Sequence, residues 1–206
     1  MSEIEYFYAA HSAFAYIGAA KLKAVADAAG AMIVHRPYEL RQGMAAVGGA
    51  TNSMTPERRA YFSRREIERW AAYRGQPIMR GIPETHGHDI ARSNGMLIAA
   101  LNTGHNIDHL SHAVMRAHWA DGADLDDPGT LTAIADDVGL PGGELVEAAL
   151  SHDAQAIHKA NTDEAIRRSV FGSPTYFVDG DMFYGQDHIE LVERALKEPF
   201  PDTWDR

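Results

Sequence analysis

Ser12 stands at a strand-to-helix junction, where a side chain can act on a bound anion. Ile4-Glu5-Tyr6-Phe7-Tyr8 is β-branched and aromatic, and Ala9-Ala10-His11 ends it. From Ala13 to Ala29, Phe14, Ile17, Leu22 and Val25 recur at helical spacing, and Gly30 stops the helix. Serine is a favoured N-cap, and a helix N-terminus with its free N–H groups and positive dipole end favours an anion, a thiolate included. The chain has no cysteine, which excludes dithiol chemistry of its own. A thiol at Ser12 would have to arrive on another molecule. At this point the serine as a plain cap and the serine as anion holder both stand open.

A second segment is equally informative. Val170-Phe171-Gly172-Ser173-Pro174-Thr175-Tyr176-Phe177-Val178-Asp179-Gly180 combines small residues, an X-Pro bond open to the cis form, an apolar β-rich run and an Asp-Gly turn. Gly185-Gln186-Asp187-His188 follows, then a helical pattern at Ile189, Leu191, Val192 and Leu196. Other constellations carry less. His105 and His109, and His109 and His112, make helically spaced pairs and His86 and His88 alternate, but no pair comes with a further specified ligand and no His-Glu-x-x-His pattern occurs, so no metal is expected. His11 is open to a role as general base or as a turn residue. Gly139-Leu140-Pro141-Gly142-Gly143 lacks the ending of a phosphate loop, and no Gly-x-Ser-x-Gly elbow occurs.

These segments need elements to hold them. Strand, helix and a second strand at Ala31-Met32-Ile33-Val34-His35 make a βαβ unit over 1–39, and proline turn, hairpin and helix make a ββα unit over 165–206. Between them, 40–164 reads as helices joined by Gly, Pro and Asp loops. Starts are expected at Thr55-Pro56-Glu57 (running to about Tyr73), Asp89, Asp108, Gly129 or Thr130, Glu144 and His152. Residues 41–54, rich in glycine and short of periodicity, read as a loop near the pocket. The expected fold is α/β: a discontinuous thioredoxin-like domain with a large all-helical insertion roofing the site.

The two motifs together resemble the glutathione-dependent branch of the disulfide-oxidoreductase A superfamily, and within it the 2-hydroxychromene-2-carboxylate isomerase family, related to kappa-class glutathione transferases. The resemblance rests on Ser12-Ala13-Phe14-Ala15-Tyr16, Val170 to Phe177, Met182-Phe183-Tyr184-Gly185-Gln186-Asp187-His188-Ile189, and the spacing of Arg59, Phe62, Glu66 and Arg69-Trp70-Ala71. The family pattern has proline and serine where this chain has Ala13 and Ala15, lysine and aspartate at Arg59 and Glu66, and arginine at His188. The resemblance implies glutathione as cofactor, its sulfur at catalytic Ser12 and its cysteinyl backbone at Ser173 beside a cis Pro174. Its γ-glutamyl end would lie against Asp187, with Gln186 and His188 nearby. Asn52 corresponds to a glutathione contact, and Arg59 to a cation for a carboxylate. The implied reaction is cis–trans or ring-opening isomerisation of an aromatic ring-cleavage carboxylate by a homodimer. A kappa-like transferase or peroxidase, and a non-catalytic thioredoxin-fold binding module, remain alternatives.

Composition sets outer bounds. A formal charge of −10 argues against nucleic acid or an anionic membrane as partner. With 206 residues, 45% of them hydrophobic, the chain can bury a sizeable core. No basic-then-apolar opening and no apolar run of membrane-spanning length are seen, so a cytoplasmic protein is expected.

Overall fold

The computed structural model describes residues 2–48 and 55–201. Its sheet has four strands: β1 (Glu3–Tyr8), β2 (Met32–Pro37), β3 (Thr175–Val178) and β4 (Asp181–Tyr184), in the order β2-β1-β3-β4. β1 pairs parallel with β2 and antiparallel with β3, which pairs antiparallel with β4. Helix α1 (Ala13–Ala29) makes the parallel crossover, which needs a helix-length connection. The β3–β4 turn uses two residues, Asp179 at φ 50° and Gly180 at φ 86°. Both lie in the left-handed region, as a tight Asp-Gly hairpin demands. This is a thioredoxin-like α/β fold with a mixed sheet.

Between β2 and β3 lie α2 (Leu40–Ala46), α3 (Pro56–Ala60), a π-helical turn (Tyr61–Glu66) and α4 (Ile67–Arg74). Then come a 3-10 turn (Glu84–Gly87), α5 (Ala91–Asn102), α6 (Asp108–Asp121), α7 (Pro128–Asp137), α8 (Gly142–Ala148) and α9 (His152–Arg167). After β4 a 3-10 turn (Gln186–His188) leads into α10 (Ile189–Lys197). Thr55, Asp127 and Ser151 each cap their helix through the side chain, which explains why those starts are readable from sequence. Three readings shift. Residues 40–46, expected within an irregular stretch, form α2, whose start Glu39 caps by accepting from the Arg41 amide at 3.2 Å. The helix expected from Thr55 to Tyr73 is broken by the wide turn at Tyr61–Glu66. Finally, α8 starts at Gly142, two residues before the expected Glu144.

The sheet's two faces follow the strand period. Ile4, Tyr6 and Tyr8 point into the main core with α1, α5, α6 and α10, while Phe7 joins Tyr38, Val170 and Phe177 on the other face. Tyr6 stacks on Tyr8 at 4.2 Å and on Tyr176 at 5.4 Å between ring centroids. Gly18 lets α1 close on the C-terminal elements, since a Cβ there would lie 2.7 Å from Gln186 Cβ and 2.9 Å from Ile189 Cδ1.

One side chain ties the helical segment to α10. Arg74 donates to both carboxylate oxygens of Glu190 at 2.7 and 3.1 Å, to Gln186 Oε1 at 3.1 Å and to the Gln186 carbonyl at 3.2 Å. Its side chain is 10% exposed. Truncation would leave the buried Gln186 side-chain oxygen unpaired, so Arg74→Ala is expected to lower the unfolding free energy by about 2 kcal/mol, the scale of unsatisfied buried polar groups. Arg74→Lys should recover less than half, because an ammonium cannot reproduce the planar fork. Urea unfolding of both variants checks this; an unchanged midpoint in Arg74→Ala would refute it.

Candidate active site

The site is built where the β1–α1 loop meets the proline loop before β3. Ser12 is 7% exposed and takes the N-cap position. Its Oγ accepts from the Ala15 amide at 3.3 Å and donates to the Ser173 carbonyl at 3.1 Å. Ser173 answers across the same gap: its Oγ accepts from the Ala9 amide at 3.2 Å. The Ser173–Pro174 peptide is cis. Ser12, Ser173 and Pro174 therefore come together, although 161 positions separate the two serines.

Both loops are held from outside. Ala10 donates to Asn94 Oδ1 at 3.0 Å, and Trp119 Nε1 donates to the His11 carbonyl at 2.9 Å. The Gly172 carbonyl accepts from Tyr38 Oη at 3.0 Å and from Thr175 Oγ1 at 2.8 Å. Gly172 itself admits no side chain, since an added Cβ would lie 2.3 Å from the Tyr184 ring. Asn94, fully buried, also bonds the Tyr38 carbonyl and His158 Nε2, both at 3.0 Å. Burial holds His158 below the usual histidine range, consistent with an Nε2 that accepts from the amide. Asn94 and Trp119 are positioning residues that sequence reasoning missed. Each lies in an ordinary helical pattern, and no local signal marks a polar side chain whose partner is 84 or 108 residues away.

The other expected residues spread out. Gln186 is buried and its side-chain oxygen is committed to Arg74, so its amide is first a structural link. Asp187 and His188 are half exposed, with His188 Nδ1 3.7 Å from Asp187 Oδ1. His188 borders a cleft of about 470 Å³ that Phe171, Met182, Tyr184 and Leu191 also line. Phe183 is 6% exposed and packs on Phe200, and both also line the cleft, where Tyr184 is 42% exposed. Arg59 sits on the exposed α3 and makes no side-chain hydrogen bond or ion pair among the described residues. Asn52 lies outside the described residues.

A cluster of imidazoles adjoins Ser12. The rings of His11 and His86 are 5.0 Å apart, and His86 Nδ1 lies 3.0 Å from His118 Nε2. His118 Nδ1 lies 2.8 Å from the Ala123 carbonyl, which can only accept. Hence Nδ1 of His118 carries its proton, its Nε2 accepts, and His86 donates through Nδ1. Burial, then His86 and Arg41, push His11 down to about 3. Burial, then His118 and Arg41, push His86 down to about 4. All three rings are thus neutral near pH 7, His118 also being lowered by burial. Among the described residues no group of three or more histidines or carboxylates is arranged to hold a metal ion.

Against known proteins, the profile of the DSBA-like thioredoxin domain matches residues 3–197. The 2-hydroxychromene-2-carboxylate isomerase of Sphingobium xenophagum is 28% identical over 197 residues, covering 94% of this chain and 97% of that one. The protein of the same name from Pseudomonas putida is 23% identical over 197 residues, covering 94% and 93%. Among solved structures, a 2-hydroxychromene-2-carboxylate isomerase superposes with a TM-score of 0.79 at 23% identity, over 95% of this chain and 94% of that one. The cytosolic disulfide reductase DsbM from Pseudomonas aeruginosa, solved with GSH, superposes with a TM-score of 0.64 at 18% identity, over 96% and 93%. No described helix is long and apolar enough to cross a membrane.

Proposed function

This chain belongs to the DSBA-like thioredoxin family, and from that premise we propose that it is a glutathione-dependent isomerase. Its substrate is a carboxylate from aromatic ring cleavage, of the kind its relatives are named for. The observation that carries the reading is Ser12 at the start of α1, facing the Ser173–Pro174 cis peptide in a chain without cysteine. In this fold that place suits a sulfur, and here the sulfur must come from a bound thiol. The residues present fit one: a hydroxyl, the free N–H groups of a helix start, and strand-edge backbone beside Pro174.

Bound glutathione would supply a thiolate able to add reversibly to a conjugated carbonyl, with no net redox change. The chain's part is to hold and orient. Ser12 Oγ and the α1 N-terminus favour thiolate over thiol, whose ordinary pKa of roughly 8.5 helix N-termini lower. The Ser173 backbone receives the cysteinyl segment. Asp187, exposed at the start of the last helical turn, takes the γ-glutamyl amine, with His188 beside it. Gln186 serves through Arg74 by fixing that turn. Arg59 and Asn52 keep their expected roles toward carboxylate and glutathione. The helical segment over 40–164 roofs the site, and the working unit is a cytoplasmic homodimer.

Titrating glutathione while following melting temperature tests this. A rise of several degrees at millimolar glutathione, weakened by Ser12→Ala and changed with S-methylglutathione, is expected. No rise would remove the cofactor and the isomerase with it. If glutathione binds, consumption of it with chlorodinitrobenzene and no isomerisation would point to the transferase alternative instead.

A further inference from the structure

His11 and Arg41 are not used by the glutathione site, yet His11 directly precedes Ser12 and Arg41 acts on the His11 ring. His11 is 5% exposed, and its Nδ1 is buried with no hydrogen-bond partner among the described residues. Buried polar atoms are nearly always paired, so an unpaired one next to a reactive position asks for a ligand. Its backbone is fixed by Trp119, and His86 packs against its ring at 5.0 Å. The His118–His86 chain, anchored on the Ala123 carbonyl, holds that neighbouring ring in one tautomer. Arg41 is exposed on α2. It donates to the His86 carbonyl at 2.9 Å and the His88 carbonyl at 3.5 Å, which among the described residues leaves further N–H groups of its guanidinium unused. The charged and titratable groups acting on His11 are His86, Arg41 and His118, with no carboxylate among them. Arg41 is the one charge among these groups, and from the start of its own helix the Glu39 carboxylate, itself facing Asp89, acts on it.

We propose that His11 and Arg41 form the subsite for the second substrate, an unsaturated oxo-carboxylate. Arg41 pairs with its carboxylate, and the His11 imidazole N–H donates to the oxo oxygen that gains negative charge during isomerisation. The assignment rests on the isomerase reading. A neutral imidazole is suited to this task, because it gives a hydrogen bond without giving up its proton. Its low basicity also makes His11 a poor acceptor for a thiol proton, so of the two roles open from sequence, general base is the one the burial disfavours.

The test compares wild type, His11→Phe, His11→Asn and Arg41→Met as full chains. Turnover of 2-hydroxychromene-2-carboxylate with glutathione is one readout. Calorimetric binding of that substrate without glutathione, and the glutathione-induced rise in melting temperature, are the others. His11→Phe should lower kcat about 100-fold, the cost of one oxyanion donor, while keeping the glutathione-induced rise. His11→Asn, which keeps an N–H, should recover at least tenfold of that loss. Arg41→Met should raise KM and the substrate's Kd about tenfold or more with a smaller change in kcat, as loss of ground-state carboxylate pairing does. Wild-type kcat should stay flat between pH 5.5 and 8. Unchanged kcat in His11→Phe, or a kcat that tracks a histidine titrating near its ordinary value, overturns the His11 role. Unchanged substrate Kd in Arg41→Met overturns the anchor. A wild type that shows neither the glutathione rise nor turnover fails the isomerase reading first, and this subsite falls with it.

Discussion

Ser12→Ala is expected to lower kcat/KM about 10- to 100-fold. A hydrogen bond to a charged group contributes about 1.5–3 kcal/mol, and each 1.36 kcal/mol is a factor of ten in rate. The substitution also removes a cap, because Ser12 Oγ accepts from the Ala15 amide at 3.3 Å, and it removes the link to the Ser173 carbonyl at 3.1 Å. Lost capping costs about 1 kcal/mol of stability, which must be separated from lost catalysis. Ser12→Asp makes the separation. Aspartate caps as well as serine does, yet its carboxylate cannot donate to the Ser173 carbonyl and lies where the thiolate would sit, where like charges repel. Both variants should therefore lose kcat/KM, while urea unfolding shows aspartate recovering the cap's share of the stability that alanine loses, about 1 kcal/mol, but not the share of the Ser173 link. Retained kcat/KM in Ser12→Ala, or an active Ser12→Asp, would leave the serine as a cap alone.

The histidine cluster should make the fold acid-labile in a defined window. In the unfolded chain His11 titrates near 6.5; in the fold it stays neutral down to about 3, and His86 down to about 4. Between those limits the unfolded chain binds more protons than the native one, so unfolding gains free energy as pH falls. Stability from this source is fully present above 6.5 and is lost progressively below it. For His11, nine-tenths buried, the loss at pH 5 is about 2 kcal/mol, at 1.36 kcal/mol for each pH step below 6.5. His86, one-third open to water, adds less. Carboxylates held low, such as Asp108 beside His35, act in the same direction but at lower pH, below the ordinary carboxylate range. Urea unfolding at pH 7, 6 and 5 measures the slope. His11→Phe should flatten it by about 2 kcal/mol over that span. Parallel wild-type and His11→Phe curves would show that the ring is protonated or solvated in the native state.

What could be read in the chain was mostly local. The start of α1 at Ser12, the caps at Thr55 and Ser151, the αL stops and the Asp179-Gly180 hairpin depend on residues within four positions of one another, and short-range sterics and hydrogen bonds fix them in any context. The ends of the chain also announced their pairing, because a helix start and a proline loop of these types fit one fold.

Tertiary structure decided the rest. Residues 40–46 lacked periodicity because about two turns of helix are too short to show it. Gln186, placed by motif in a ligand site, is claimed by Arg74 from 112 residues away. Asn94, Trp119 and the His11–His86–His118 cluster owe their roles to partners on other helices, and His11 its neutrality to burial. Side-chain type and spacing record what a residue offers to its neighbours in the chain. Which distant group accepts the offer, and how dry the meeting place is, depends on how the helices pack, and no local pattern encodes that.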